Sequence, residues 1–237
     1  MRINKFIATS TGFSRRKADE MVLAGKVKVN GEICTVLSTV ISNNTDKVEI
    51  DGKVLELDKP KLYILLNKPK GYVVSRSDEY GRKTIYDILP KELFALKPVG
   101  RLDRNSEGLI LLTNDGDLAN KILHPKYKLD KTYRVVIAGT LSKEQLTKLR
   151  TGVDIGDYVT QPCAIYVRKK SDKATTLKFI IHEGKKRQIR RMLEEVESRV
   201  ITLKRTQIGD IKSEKLELGN WRPLTRYELQ YLKRHKS

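Results

Sequence analysis

The stretch Gly100-Arg101-Leu102-Asp103-Arg104-Asn105-Ser106-Glu107-Gly108 sets one carboxylate between two arginines, then runs into the apolar Leu109-Ile110-Leu111-Leu112. Opposite charges favour the ionised form, so Asp103 at the edge of a core is equipped as a nucleophile or general base. On its own an aspartate in a loop is more often a turn residue. The same stretch also imitates the start of a calcium loop, with Asp103, Asn105, Glu107, Gly108 and Ile110 in register. That metal reading fails at the twelfth position, where Asn114 cannot supply a bidentate carboxylate.

Other stretches carry cations beside structure-forming residues. Asn67-Lys68-Pro69-Lys70-Gly71 follows an apolar run as a loop with two lysines, either a plain connection or a phosphate contact. Lys131-Thr132-Tyr133-Arg134-Val135 opens a strand with a ring between cations, which suits an unstacked base but also half-buried packing. His182-Glu183-Gly184-Lys185-Lys186-Arg187-Gln188-Ile189-Arg190-Arg191-Met192-Leu193 turns into a helix crowded with like charge, which needs a polyanion or a buried carboxylate to offset it. Arg190, next to the core-facing Ile189, is placed to turn inward toward Asp103. His124 and His182 have no nucleophile or metal-ligand partner at useful spacing, and no glycine-rich nucleotide loop occurs. No nucleotide cofactor and no metal are expected.

Composition points the same way. The 237 residues are 39% hydrophobic and 32% charged, which excludes bulk disorder and allows one or two domains with real cores. The net charge of +19 calls for a polyanionic partner. Because the charge is spread rather than gathered on one amphipathic helix or tail, nucleic acid is favoured over a lipid surface. Cys34 and Cys163 form no disulfide framework or zinc site and are expected as small buried hydrophobes. With no long apolar run and no leader-like start, a cytoplasmic protein without membrane contact is expected.

The elements that must position these residues follow from periodicity. Residues 1–59 are nearly balanced in charge and the excess lies beyond them, so a boundary falls at Lys59-Pro60. Ile3, Phe6 and Ile7 are spaced for a helix, Gly12 interrupts, and Ser14 can cap a second helix carrying Ala18, Met21 and Val22. Gly25 ends it, Val27 and Val29 alternate as a strand, and Asn30-Gly31 signals a hairpin. Arg15-Arg16-Lys17 sit in a first helical turn, where cations are unfavourable unless an anion joins them. Lys53–Leu57 is strand-like. Beyond residue 60, strands are expected over 62–66, 72–75, 133–138, 164–168 and 175–181, and helices over 117–123, 142–150 and 185–196. A last helix or basic tail is expected from Leu224 to His235.

Taken together, Asn67-Lys68-Pro69-x-Gly71, Gly100-Arg101-Leu102-Asp103 through Gly108-Leu109, Lys131-x-Tyr133 and Glu183-Gly184-x-x-Arg187-Gln188-Ile189-Arg190-Arg191-Met192 resemble, in order and spacing, the motifs of the pseudouridine synthases. The resemblance is to the bacterial ribosomal subfamily typified by RsuA and its large-subunit relatives. Ser14-Arg15-Arg16-Lys17-Ala18 with Gly25-x-Val27-x-Val29-Asn30-Gly31 resembles a small RNA-binding domain of the ribosomal-protein S-four type. The resemblance implies an α+β chain. A small N-terminal α/β RNA-binding domain over residues 1–59 would precede a catalytic domain over residues 60–237 with a mixed, mostly antiparallel sheet flanked by helices.

It also implies roles: Asp103 as catalytic carboxylate, Tyr133 stacking on the target base, Arg190 pairing with the aspartate, and Arg101 filling the gap left by a flipped nucleotide. Expected RNA contacts are Arg2, Lys5, Ser14, Arg15, Arg16, Lys17 and Lys28 in the first domain. In the second they are Asn67, Lys68, Lys70, Arg104, Lys131, Lys185, Lys186, Arg187 and Arg191. Isomerising uridine in place gains and loses no atom, so one ionised Asp either attacks the anomeric carbon or removes the neighbouring sugar proton, without cofactor. The stretch from Leu203 to Thr225 looks closer to the large-subunit enzymes, favouring 23S rRNA near the peptidyl-transferase region over 16S rRNA. The expected partner is ribosomal RNA or a subunit assembly intermediate, met by a monomer. The alternative from another class, a non-catalytic RNA-binding assembly factor, is opposed by the intact Asp103, Tyr133 and Arg190.

Overall fold

The computed structural model describes residues 1–234 except Asn44, Asp58, Lys59, Lys128 and Glu214. Lys59, at the expected boundary, and His235, at the end of the expected last helix, lie outside the described residues. The chain divides into two compact units, Met1–Leu62 with Asn114–Gly116, and Tyr63–Thr113 with the residues from Asp117 onward.

In the first unit, Ile3, Phe6 and Ile7 are buried along one side of α1 (Ile3–Thr11). Gly12 ends that helix at φ 83°. The next helix, α2 (Arg15–Leu23), starts on Ser14, whose Oγ accepts from the Lys17 amide at 3.0 Å. Ala18 and Val22 face the core from it. A hairpin joins β1 (Val27–Val29) to β2 (Glu32–Ile33) through Asn30 and Gly31, both at positive φ as its tight turn requires. With β3 (Val48–Ile50) and β4 (Lys53–Val54) they make an antiparallel sheet in the order β2-β1-β3-β4. The strand expected over residues 53–57 is thus only two residues long.

The second unit is built on β5 (Tyr63–Lys68), β6 (Lys97–Val99), β7 (Glu107–Thr113), β8 (Lys131–Ala138), β9 (Ala164–Lys170), β10 (Ala174–Ile181), β11 (Val200–Ile208), β12 (Ile211–Lys212) and β13 (Trp221–Pro223). They form one nine-stranded sheet with the order β13-β5-β7-β11-β8-β10-β9, β6 pairing with β7 and β12 with β11. Among the described residues every pair is antiparallel except β7–β11. The helices are α3 (Gly116–Leu123), α4 (Lys143–Thr151), α5 (Gln188–Glu194) and α6 (Arg226–Arg234).

The unbroken apolar runs in β5 and β7 arise because both strands are covered on both faces. Ile64, Leu66, Ile110 and Leu112 share one core with Leu149 of α4 and with Ile189, Met192 and Leu193 of α5. Leu65, Leu109 and Leu111 point the other way, into a core with Leu118 and Ile122 of α3 and Leu232 of α6. The parallel pair brings the Arg205 backbone against Gly108, which sits at φ 111°. A Cβ there would lie 2.1 Å from the Arg205 carbonyl oxygen, so only glycine allows the approach.

Several expectations need correction. Residues 72–75 form no strand, only a bridge from Val73 to Thr84, because the chain leaves the sheet at Gly71 (φ 90°). The helix expected over 185–196 is shorter, because Arg187 at φ 53° delays its start to Gln188. Both cysteines are half-buried, packed against the cores rather than inside them. Among the described residues no helix is long and apolar enough to cross a membrane.

Candidate active site

At the ends of β7, β8 and β11 lies a cavity of about 960 Å³, lined among others by Arg101, Asp103, Ser106, Tyr133, Glu183 and Arg205. Asp103 is half-buried in the turn that enters β7, its carbonyl accepting from the Ser106 amide at 3.0 Å. The turn is tied to the end of β5: the Gly71 amide donates to the Arg104 carbonyl at 2.9 Å and Arg104 Nε returns to the Gly71 carbonyl at 3.3 Å. Arg101 is exposed at the cavity lining, one residue beyond Gly100 (φ 80°).

Tyr133 is buried at 8% exposure on β8, with Arg205 as its cross-strand partner on β11. Arg205 is buried at 4%, donates from Nε to the Leu109 carbonyl at 2.7 Å and places Nη1 3.5 Å from the Tyr133 hydroxyl. Sequence reasoning gave Arg205 no role. The signal was available: period-two alternation from the apolar Leu203 turns position 205 toward the core, and a buried arginine demands an explanation. Ser106 and Glu183 were likewise missed.

Glu183 organises the cationic turn before α5. Its carboxylate accepts from the Tyr158 hydroxyl at 2.7 Å, the Gln161 amide at 3.0 Å and Gln188 Nε2 at 2.5 Å. Lys185, Lys186 and Arg187 are exposed on that turn and line the cavity, with Lys185 Nζ 4.0 Å over the Tyr158 ring. One carboxylate thus fixes a turn whose cations line an open site, although Arg187 also pairs with Glu194 at 3.3 Å.

The expected ion pair between Arg190 and Asp103 is not formed. Arg190 Nη2 donates instead to the Asn105 carbonyl at 3.0 Å. The backbone carbonyl, two residues along the turn, captures the guanidinium first. Burial and then the Arg187 charge push the Arg190 pKa down, while the Asp103 field holds it up.

Asn67 and Lys68 were expected to touch RNA, and both are buried in β5 instead. Asn67 Nδ2 donates to the Leu216 carbonyl at 2.6 Å, and Lys68 Nζ to the Pro69 carbonyl at 2.8 Å. Burial pushes Lys68 down to about 8, against the pull of Asp103 and Glu107. Lys131 lines the cavity, its Nζ on the Leu129 carbonyl at 2.9 Å, and burial followed by the Arg205 charge lowers it to about 8. Arg191 is turned away to the Ile155 carbonyl and Asp157, a structural tie rather than an open contact. Lys70 and Arg104 are exposed, Lys70 lying 3.8 Å from Glu107.

In the first unit Arg2, Ser14, Arg15, Arg16, Lys17 and Lys28 are exposed and Lys5 is half-buried. Ser14 serves as the helix cap, Arg15 donates to Asn4 Oδ1 at 3.0 Å, and Lys17 pairs with Glu20 at 3.0 Å.

Residues 62–195 match the family described as RNA pseudouridylate synthase, and residues 1–45 match the S4 domain. The chain is 43% identical to an uncharacterized RNA pseudouridine synthase of Aquifex aeolicus, over 98% of this chain and 93% of that one. It is 39% identical to ribosomal large subunit pseudouridine synthase B of Bacillus subtilis, over 98% of this chain and 95% of that one. A crystal structure of pseudouridylate synthase superposes with a TM-score of 0.71 at 33% identity, covering 98% of this chain and 99% of that one.

Proposed function

The chain belongs to the RNA pseudouridylate synthase family, which isomerises uridine to pseudouridine, and from that premise we propose that its substrate is ribosomal RNA of the large subunit and that Asp103 carries the reaction. The observation behind the assignment is the convergence of Asp103, Tyr133 and Arg205 on one cavity, with a cationic turn along its lining.

The target uridine leaves the RNA stack, at a cost of a few kcal/mol, and enters the cavity, where the Tyr133 ring supports the uracil. Arg101 takes the space vacated in the helix. Asp103 assists rupture of the bond between the anomeric carbon and N1, by attack on that carbon or by removing the adjacent sugar proton. The uracil turns and its carbon five bonds to the anomeric carbon, either displacing the Asp103 carboxylate attached there or as Asp103 returns the proton to the sugar; the proton of carbon five is then released and N1 gains a proton. Lys185, Lys186 and Arg187 hold backbone phosphates. Residues 1–59 serve as the RNA-docking domain and residues 60–237 as the catalytic domain. On this reading the enzyme is a cytoplasmic monomer acting on free rRNA or on an assembling large subunit.

Tritium release from uracil carbon five, with labelled large-subunit and small-subunit rRNA transcripts and assembly intermediates as parallel substrates, tests the proposal. Wild type should release tritium from the large-subunit substrate and Asp103→Asn should not. Release confined to small-subunit RNA would refute the substrate assignment, and full release by Asp103→Asn would refute the role of the carboxylate.

A further inference from the structure

The loop between Val73 and Thr84 takes no part in the chemistry above, yet it is firmly held. Its base closes beside the catalytic turn. Gly71 is bonded in both directions to Arg104, the residue after Asp103. Two residues later the Val73 amide donates to the Lys83 carbonyl at 2.8 Å, and the Ile85 amide to the Val73 carbonyl at 2.9 Å.

At its tip the loop is organised by one carboxylate. Asp78 accepts from the amides of Tyr80 and Arg82, each at 3.0 Å, and from Arg82 Nε at 2.9 Å and Nη2 at 2.5 Å. The Arg82 side chain holds the Asp78 carboxyl down to about 2, so the clamp stays charged across the working pH range. Fixed in this way, the Arg82 guanidinium stands 4.8 Å from the centroid of the Tyr80 ring. Tyr80 as a residue is 77% exposed. Arg76, Arg82 and Lys83 also line an open cavity of about 580 Å³ beside it.

A tyrosine left in water gains the fold little beyond that one cation contact, whereas a ring fixed in advance loses little freedom when another ring stacks on it. Single-stranded RNA is held by such platforms, aromatic faces for the bases with cations alongside for the phosphates. We propose that this loop is a second RNA-contact surface, with Tyr80 stacking on an unpaired base that flanks the flipped uridine and with Arg76 and Lys83 meeting its phosphates. The proposal rests on the reading of the substrate as RNA. The connection of the loop to Arg104 explains why the contact would fall on nucleotides near the target.

The test measures the dissociation constant for a large-subunit rRNA transcript alongside tritium release, for wild type, Tyr80→Ala, Tyr80→Trp and Tyr166→Ala. Tyr166 is the comparison because it is also exposed, at 51%, and has an arginine 5.9 Å from its ring, but stands on the edge strand β9. Tyr80→Ala should weaken binding by about tenfold, the scale of removing one base stack, with the effect appearing in KM. Tyr80→Trp should bind within about twofold of wild type, and Tyr166→Ala should match wild type. Binding by Tyr80→Ala within about twofold of wild type, or an equal weakening in Tyr166→Ala, would overturn the proposal. Because binding is read without turnover, a wild type that binds but releases no tritium counts against the proposed reaction and leaves the loop result standing. A wild type that does not bind the transcript overturns both.

Discussion

Arg205 stands opposite Tyr133 on neighbouring strands, its Nη1 3.5 Å from the tyrosine hydroxyl and its Nε fixed at 2.7 Å to the carbonyl of Leu109 on the other side. One guanidinium therefore links β7, which follows the Asp103 turn, to β8, which carries the ring. Its Nη2 is buried without a protein partner among the described residues, so the side chain is committed to these two contacts.

Arg205→Lys keeps the charge but loses the planar fork that reaches both sides. It should lower stability by roughly 2 kcal/mol and kcat by about one to two orders of magnitude through misplacement of the ring. Tyr133→Phe removes only the hydroxyl and should cost less. The two effects on kcat should be non-additive by about 0.5–1 kcal/mol. Denaturation curves and tritium-release kinetics on the two single variants and the double variant decide it, and strictly additive effects would show that Arg205 does not act through Tyr133.

Lys68 sets a pH dependence of stability. It is fully buried and its pKa is about 8, against 10.5 for a free lysine, with burial the main cause. Below pH 8 both folded and unfolded chains carry the proton, and the folded chain bears the buried charge. Between about pH 8 and 10.5 the unfolded chain binds more protons, so stability rises with pH, by up to about 3 kcal/mol from this group. Lys68→Met should be at least as stable as wild type at pH 7 and should lose this share of the rise. Urea denaturation of both proteins at pH 7, 8.5 and 10 checks the prediction; identical slopes against pH would contradict it.

Neutralising Arg15, Arg16 and Lys17 to glutamine should weaken binding to rRNA and flatten its salt dependence, by about 0.9 in the logarithmic slope for each phosphate no longer neutralised. The effect should appear in KM rather than kcat. Arg15 and Lys17 are already engaged with Asn4 and Glu20, so Arg16 alone should carry a large share. Binding measured at several salt concentrations gives the answer, and an unchanged slope would remove the docking role from this helix.

The legible parts of the molecule were those decided by near neighbours in the chain. The Ser14 cap, the Asn30-Gly31 hairpin and the doubly buried β5 and β7 follow from local periodicity and turn chemistry. Charge and aromatic placement marked Asp103 and Tyr133 only as candidates beside plainer readings, their roles came from the family resemblance, and both line one cavity. Long-range choices were not legible. Lys68 reads as a loop residue beside Pro69, but its stem is swallowed by the surrounding core and its ammonium is satisfied by a backbone carbonyl. Arg190 has two acceptors within reach of one turn, and local sequence cannot show that the Asn105 carbonyl is taken rather than the Asp103 carboxylate. Arg205 depends on the parallel register against Gly108, which nothing near it in the chain announces.

That register orders the steps by which the molecule can be made. The strands β8, β10 and β9 pair with near neighbours and can associate as soon as they leave the ribosome. β6 covers Leu111–Thr113 of β7 early, but the Glu107–Gly108 end of β7 must wait for β11, and β5 must wait for Trp221 to reach Leu66 before its outer edge is covered. Until then the apolar β5 stands with an open edge, the condition under which nascent chains join one another. The carboxylate and the ring therefore meet only in a finished polypeptide, so a chain interrupted before β11 has no site to misdirect, and its hazard is self-association.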